Sequence, residues 1–370
     1  MRILLAGGVA AGSLLSTNAI AAQPDGAHAV FVMTNDALRN EVVAYPRAND
    51  GVLLSPTHYR TGGRGSGGTV DPLISQGSLT LSPDGTQLLA VNAGSGTLSL
   101  FRVDGDRLEL TDQVPTQGSE PNAVAQYGDL VYVLNTAGSS SVVGFRIEDN
   151  HLRPIPNSIR FLSGNAVTSS SLTFSVDGSV LLVAERGTSQ IDSFRVNADG
   201  TLAKFVATPS AGAGLFALTV APNGTVIAAE TGGGGNPSAE SSYAIQPDGA
   251  LVAISTSLPT LGAANCWNVV TPDGRFVYTS NSGSSSIAGF SIGADGALTP
   301  IPGTLVGHNP AGSTNLDIAV SRDGRFLYSL NARTGTVGIF AIRSSDGSLT
   351  NLGTVSGLHG NTGLNGIAAN

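Results

Sequence analysis

The 370-residue chain carries only 12% charged residues, a formal net charge of −8 and a single cysteine. A surface so acidic and charge-poor cannot neutralise a phosphate backbone, which excludes nucleic acid as a partner. Cys266 alone can form no internal disulfide and no thiolate cage, so no metal or cofactor is expected.

Residues 1–22 have the pattern of an export signal: Arg2 near the amine, an apolar stretch from Ile3 to Leu15, and the small-residue site Ala19-Ile20-Ala21. The apolar stretch is too short to span a bilayer, and no later segment has the length of a membrane helix. The expectation is a soluble protein, secreted or periplasmic, folded over residues 23–370 as one body and monomeric.

From there the chain repeats. Asp50-Gly51, Asp104-Gly105, Asp149-Asn150, Asp199-Gly200, Asp248-Gly249, Asp295-Gly296 and Asp346-Gly347 recur at about fifty residues, the length of one four-stranded propeller blade. A second turn recurs within the period, as at Asp84-Gly85, Asp177-Gly178, Asp273-Gly274 and Asp323-Gly324, each before a β-rich run. Asp-Gly suits such hairpins because its residues tolerate positive φ. In the sixth unit, Asn268–Val270, Arg275–Thr279 and Ser286–Phe290 are predicted as the first three strands, and no helical period appears.

The first unit starts at its second strand, Ala29–Met33, and Leu364–Ala368 at the C-terminus supplies the missing one. The predicted fold is therefore all-β: a seven-bladed propeller of four-stranded antiparallel blades, closed by the C-terminal strand joining the N-terminal blade.

In such a ring the residues that follow each second strand surround one mouth of the central channel. In blade order they are Asn35, Asn92, Asn135, Glu185, Glu230, Asn281 and Asn331. Asparagine at such a place is expected to cap turns; Asn92, Asn135, Asn281 and Asn331 are also candidate ligand contacts. Glu185 and Glu230 are the leading functional pair, as a general base or ligand clamp or, alternatively, as acceptors of backbone hydrogen bonds. Arg186 is a third catalytic candidate, with Arg64 and Arg333 as ligand-binding candidates. Arg64 lies in the glycine-rich stretch Thr61–Gly68, either a flap over the channel or a plain linker. The five histidines are scattered, and Cys266-Trp267 enters the first strand of blade 6 as packing or rim residues.

Ser82-Pro83-Asp84-Gly85, Phe276–Gly283 and Arg325–Ala332 give the chain a resemblance to the lactonase-type seven-bladed propellers with YVTN-type repeats. That family includes 6-phosphogluconolactonases and 3-carboxy-cis,cis-muconate lactonizing enzymes. The resemblance implies a His-Pro-His stretch entering one inner strand, an Arg-His pair entering the next, and a glutamate after the following second strand. Here Thr168-Ser169-Ser170-Ser171 and Phe216-Ala217 stand in the first two places, and Glu230 in the third. Two functions follow: lactone hydrolysis or formation with Glu230 or Glu185 as base and an arginine on the oxyanion, or a non-catalytic propeller that binds a sugar, a peptide or a small acid. The expected ligand is a small molecule, a lactone or organic acid. A phosphorylated sugar lactone of the cytosol suits an exported protein poorly.

Overall fold

The computed structural model describes residues 28–165, 167–235 and 237–370. The export signal read over residues 1–22 lies outside them. Seven antiparallel sheets follow one another along the chain, and their inner strands touch in an unbroken ring, from Leu79–Leu81 through Ser119–Tyr127, Ser169–Phe174, Leu215–Val220, Asn265–Val270, Asn315–Val320 and Ile367–Ala369 back to Leu79–Leu81. This is the predicted seven-bladed propeller. Among the described residues no helix is long and apolar enough to cross a membrane.

The repeated text builds each blade in the same way. In blade 6, Thr271 Oγ1 donates to Asp273 Oδ1, Asp273 Oδ1 also accepts from the Arg275 amide, and Thr271 Oγ1 accepts from the Phe276 amide. Blade 7 repeats this with Ser321 and Asp323, and blades 2 and 4 repeat its core with Ser82–Asp84 and Ser175–Asp177. A hydroxyl two residues before aspartate locks the turn, and the positive-φ glycine reverses it.

The outer Asp-Gly turns join neighbouring blades. Tyr132, Tyr278 and Tyr328 of the second strands donate to the carbonyls of Gly200, Gly347 and Gly51, each in the next blade's outer turn, at 2.7, 2.7 and 3.0 Å. A Cβ on Gly51, at φ 89°, would meet the Phe326 ring at 2.4 Å. That position must be glycine for two independent reasons, backbone sign and space. The fifty-residue period of Asp-Gly is thus the period of the inter-blade contact.

Closure uses a shorter strand than expected. Ile367–Ala369 pairs with Val30–Val32, while Leu364–Gly366 stays buried beside it and the Gly366 carbonyl accepts from the Met33 amide. Asn370 then accepts from the Ala29 amide through Oδ1, and its backbone oxygen accepts from Arg47, whose buried guanidinium also pairs with Asp323 of blade 7 at 3.1 Å. In blade 3 the outer strand is broken into His151–Pro154 and Arg160–Asn165, both paired with Ser139–Glu148.

Candidate functional site at the upper channel mouth

The connections entering each inner strand, and those joining second to third strands, open on one face, called the upper face below. Every predicted ring residue is on it, and every one is buried. Asn92, Glu185, Glu230, Asn281 and Asn331 are the last residues of their second strands, and Asn135 lies near the end of its own; with Asn35, all seven have 0% exposure.

Most of them hold the linker that enters their own blade, whereas Asn331 donates to Thr336 Oγ1 within its own blade. Asn92 Oδ1 accepts from Thr61 Oγ1 at 2.6 Å, Asn281 Oδ1 from Thr260 Oγ1 at 2.8 Å, and Asn135 Nδ2 donates to the Thr116 carbonyl at 3.4 Å. Glu230 accepts from Ser210 Oγ and the Gly212 amide, and Glu185 from the amide and hydroxyl of Ser163 and from Thr188 Oγ1. Two residues after the hydroxyl a glycine lies on the ring side chain: a Cβ on Gly63, Gly118, Gly212 or Gly262 would fall 2.0–2.4 Å from Asn92, Asn135, Glu230 or Asn281. Thr61-Gly62-Gly63, Thr116-Gln117-Gly118, Ser210-Ala211-Gly212 and Thr260-Leu261-Gly262 are one signal, Ser/Thr-x-Gly, which the reading by turns alone missed.

Blades 4 and 5 add a second acid beneath the first. Burial pushes Asp192 up to about 8, and its hydrogen bond to Glu185 and that residue's charge push the same way. Burial would raise Glu185 too, but hydrogen bonds from Asp192, Ser163 and Thr188 outweigh it and hold the carboxyl below its usual range. The two carboxyls are thus pushed in opposite directions, as neighbouring buried acids are when one charge disfavours the other. In blade 5, burial lifts Glu230 above its ordinary value against its hydrogen bonds. Burial also takes Glu240 to about 8, although Asn265 and Asn268 donate to it at 2.9 and 3.3 Å.

The channel itself is filled by the chain. After the glycine-rich stretch, residues 71–78 descend into it. Ser75 Oγ donates to the Asn122 carbonyl, the Gln76 amide to the Ser170 carbonyl, and Gln76 Oε1 accepts from the Asn268 amide. Across the channel, Trp267 Nε1 donates to the Ser75 carbonyl at 2.9 Å, and its ring meets Phe216 edge-on at 5.0 Å. With Gln76 Nε2 donating to the Leu218 carbonyl at 3.4 Å, blades 3, 4, 5 and 6 thus grip one linker. Asp71 and Ile74 sit at φ 45° and 47°, a costly conformation for a β-branched residue. The stretch carrying Arg64 is docked, not free: the Arg64 carbonyl accepts from the amides of Gly94 and Ser95, and Ser66 bonds Asn35. The Arg64 side chain is exposed.

Above this plug, residues from remote parts of the chain converge. Burial pushes Asp71 up to about 8 against hydrogen bonds from Asn365, Ser75 and Ile74, with the charge of Asp317 adding to the rise; Asp317, wholly enclosed, is raised to about 7. Cys266 is raised to about 12 by burial and then by the charge of Asp71, and the Arg186 guanidinium acts on it in the opposite sense. Arg186 is half-buried, and its Nε is enclosed without a hydrogen-bond partner. Arg333 is exposed on the rim, its Nε 3.3 Å from Thr314 Oγ1, beside a recess of about 380 Å³ that it forms with Ser282, Gly283 and Gly312. Arg186 is therefore the predicted residue brought to the mouth with hydrogen-bonding capacity to spare. Asp71 and Asp317 were not anticipated, because no local pattern marks a linker that turns inward. Among the described residues no group of three or more His, Cys, Asp or Glu is arranged to hold a metal.

The family model described as a lactonase seven-bladed β-propeller matches residues 262–361, the last two blades, which bears out the resemblance read from their text. No curated protein matches the chain. Among solved structures, a periplasmic gluconolactonase of Pseudomonas aeruginosa superposes with a TM-score of 0.69 at 21% identity, over 91% of this chain and 98% of its own. A putative 6-phosphogluconolactonase of Bacteroides fragilis does so with 0.68 at 20%, over 94% and 99%. A hypothetical selenium-binding protein of Sulfolobus tokodaii reaches 0.68 at 10%, over 94% of both. Likeness at these identities fixes the fold and leaves the reaction open.

Proposed function

We propose that this protein, after export, takes a small unphosphorylated lactone or its hydroxy acid at the upper channel mouth and interconverts the two. The observation that carries this reading is the enclosed, unpartnered Nε of Arg186 on the side of Cys266, whose thiol also feels Asp71, a carboxyl that burial pushes up to about 8. A carbonyl oxygen is the acceptor such donors lack, and a guanidinium in a low-dielectric mouth stabilises the oxyanion that water addition creates. Asp71 then supplies the proton to the ring oxygen as the acyl C–O bond breaks.

The base that takes the proton from water is assigned to Glu230, with Glu185 holding the neighbouring loop in place. Glu230 lies under Ser210–Gly212, so this segment has to move for water to reach it. Asn92, Asn135, Asn281 and Asn331 support the mouth from below, and Arg333 and Arg64 serve an acid group from the rim.

A second reading, binding without turnover, is favoured by the complete enclosure of Glu185 and Glu230. One experiment separates the two: turnover and calorimetric binding on a panel of γ- and δ-lactones, comparing the parent protein with Arg186→Met and with Glu230→Gln. Turnover abolished in both variants, with the fold intact by circular dichroism, is the expected result. Binding lost in Arg186→Met, with no turnover in the parent, selects the second reading. Turnover indifferent to Arg186→Met removes the site from consideration.

A further inference from the structure

On the upper face, but toward the outer rim, the seam where the ring closes holds a cleft of about 590 Å³. One wall is the linker that leaves blade 7, with Leu358, His359, Thr362 and Leu364. The other is blade 1, with Leu38, Arg39, Glu41 and His58. Its volume lies in the range of small-molecule sites, and its lining mixes an aliphatic floor with a few convergent polar groups.

The polar groups are arranged asymmetrically. Glu41, mostly buried, has both oxygens engaged: Oε1 pairs with Arg39 Nε at 2.9 Å and Oε2 with His58 Nδ1 at 3.1 Å. Asp36 Oδ1 accepts from the amides of Leu38 and Arg39, which folds the loop so that Arg39 stands against the cleft. The carboxylate at the base is thereby spent on orienting two nitrogen-rich side chains. The terminal guanidinium nitrogens of Arg39 line the cleft as donors beyond the pairing of its Nε with Glu41, and the rings of His58 and His359 lie beside them, His58 giving its Nδ1 side to Glu41. A planar anion meets that set best, because a guanidinium and a carboxylate fit in a fork.

We propose that this seam cleft is a ligand site, independent of the channel mouth, for an organic carboxylate with an apolar body: the acid group on the open guanidinium edge of Arg39, with the rings of His58 and His359 beside it, and the body over Leu358 and Leu364. A ligand seated there touches both ends of the chain at once, so it binds only the closed ring and stabilises it by mass action.

The test is a thermal-shift and calorimetric titration of the whole protein with octanoate, alongside octylamine and inorganic phosphate. Octanoate is expected to bind saturably and raise the melting temperature, with octylamine inert and phosphate weaker. Arg39→Gln with His58→Gln, both on exposed side chains, should weaken octanoate at least tenfold, whereas Arg333→Gln at the mouth should leave it unchanged. The proposal is overturned if octanoate fails to bind, if octylamine binds equally, or if the double variant, melting like the parent without ligand, binds octanoate as before. Phosphate binding tighter than octanoate overturns the assigned ligand class.

Discussion

In blades 6 and 7 the second strand ends in Asn281 and Asn331; in blades 4 and 5 it ends in Glu185 and Glu230. All four are fully buried on the upper face, and Asn281, Glu185 and Glu230 accept hydrogen bonds from the linker entering their own blade. Blade 6 does this with a neutral amide, and blades 6 and 7, with asparagine at the strand ends, are also the stretch that the lactonase family model matches. Blades 4 and 5 do it with carboxylates, each backed by another buried acid, Asp192 or Glu240. The text that carries the resemblance, such as Ser82-Pro83-Asp84-Gly85, is text that locks turns and builds blades. The residues that depart from it lie where the resemblance implies histidine and arginine. Family text here reports on folding, and chemistry has to be read from side chains that do not repeat.

The joint between the two regions should show the largest effect. Trp267 of blade 6 rests on Phe216 of blade 5 and holds Ser75 of the plug. Trp267→Ala should cost about 3–5 kcal/mol, measured by chemical denaturation, because a large buried ring leaves a cavity that the surroundings fill only partly. An accompanying rise in hydrogen exchange over residues 71–78 would show that the plug had lost its anchor; unchanged protection there would mean the other contacts suffice.

Next is the linker clamp. Gly212→Ala and Gly262→Ala each drive a methyl onto the ring side chain, Glu230 or Asn281, and each should cost about 1–3 kcal/mol. Adding Glu230→Ala to the first and Asn281→Ala to the second should recover part of that loss. Strict additivity in these cycles would deny that the ring residue and the glycine share one space.

The buried acids predict a pH dependence to which blades 4 and 5 contribute Asp192 and Glu240. Asp192 and Glu240, like Asp71 and Asp317 at the mouth, hold protons in the folded state well above the pH at which the unfolded chain releases them. Their contribution is whole below about pH 4 and is lost as the pH rises to about 8, at about 1.4 kcal/mol per pH unit for each proton by which the states differ. Glu185, held low, works oppositely and loses its contribution as the pH falls. Melting temperature should therefore decline from pH 5 to pH 8, and Glu240→Gln should flatten the decline. A profile identical to the parent's would show that Glu240 is ionised in the fold.

The smallest effect belongs to the repeated text. Tyr278→Phe removes one hydrogen bond to the Gly347 carbonyl and should cost about 1 kcal/mol by denaturant titration, with Tyr132→Phe similar. These losses should be alike because the two stapled turns are alike.

The sequence by itself determined the ring. A locked hairpin and an inter-blade turn are local devices, legible wherever Ser/Thr-x-Asp-Gly or a period of fifty occurs, and the need for a leftover closing strand, read at Leu364–Ala368 and observed at Ile367–Ala369, follows from counting. It also put Glu185 and Glu230 just after their second strands, where the structure makes them the last residues of those strands. Their surroundings were decided by tertiary structure, since burial depends on Ser163, Ser210, Gly212 and Asp192, which arrive from other strands and linkers. The plug, the meeting of Asp71 with Arg186 and Cys266, and the seam cleft between residues 36–58 and 357–364 are likewise products of ring closure. Backbone dihedrals and hydroxyl caps act over a few residues and leave a pattern in the text; desolvation and convergence act across the channel and leave none.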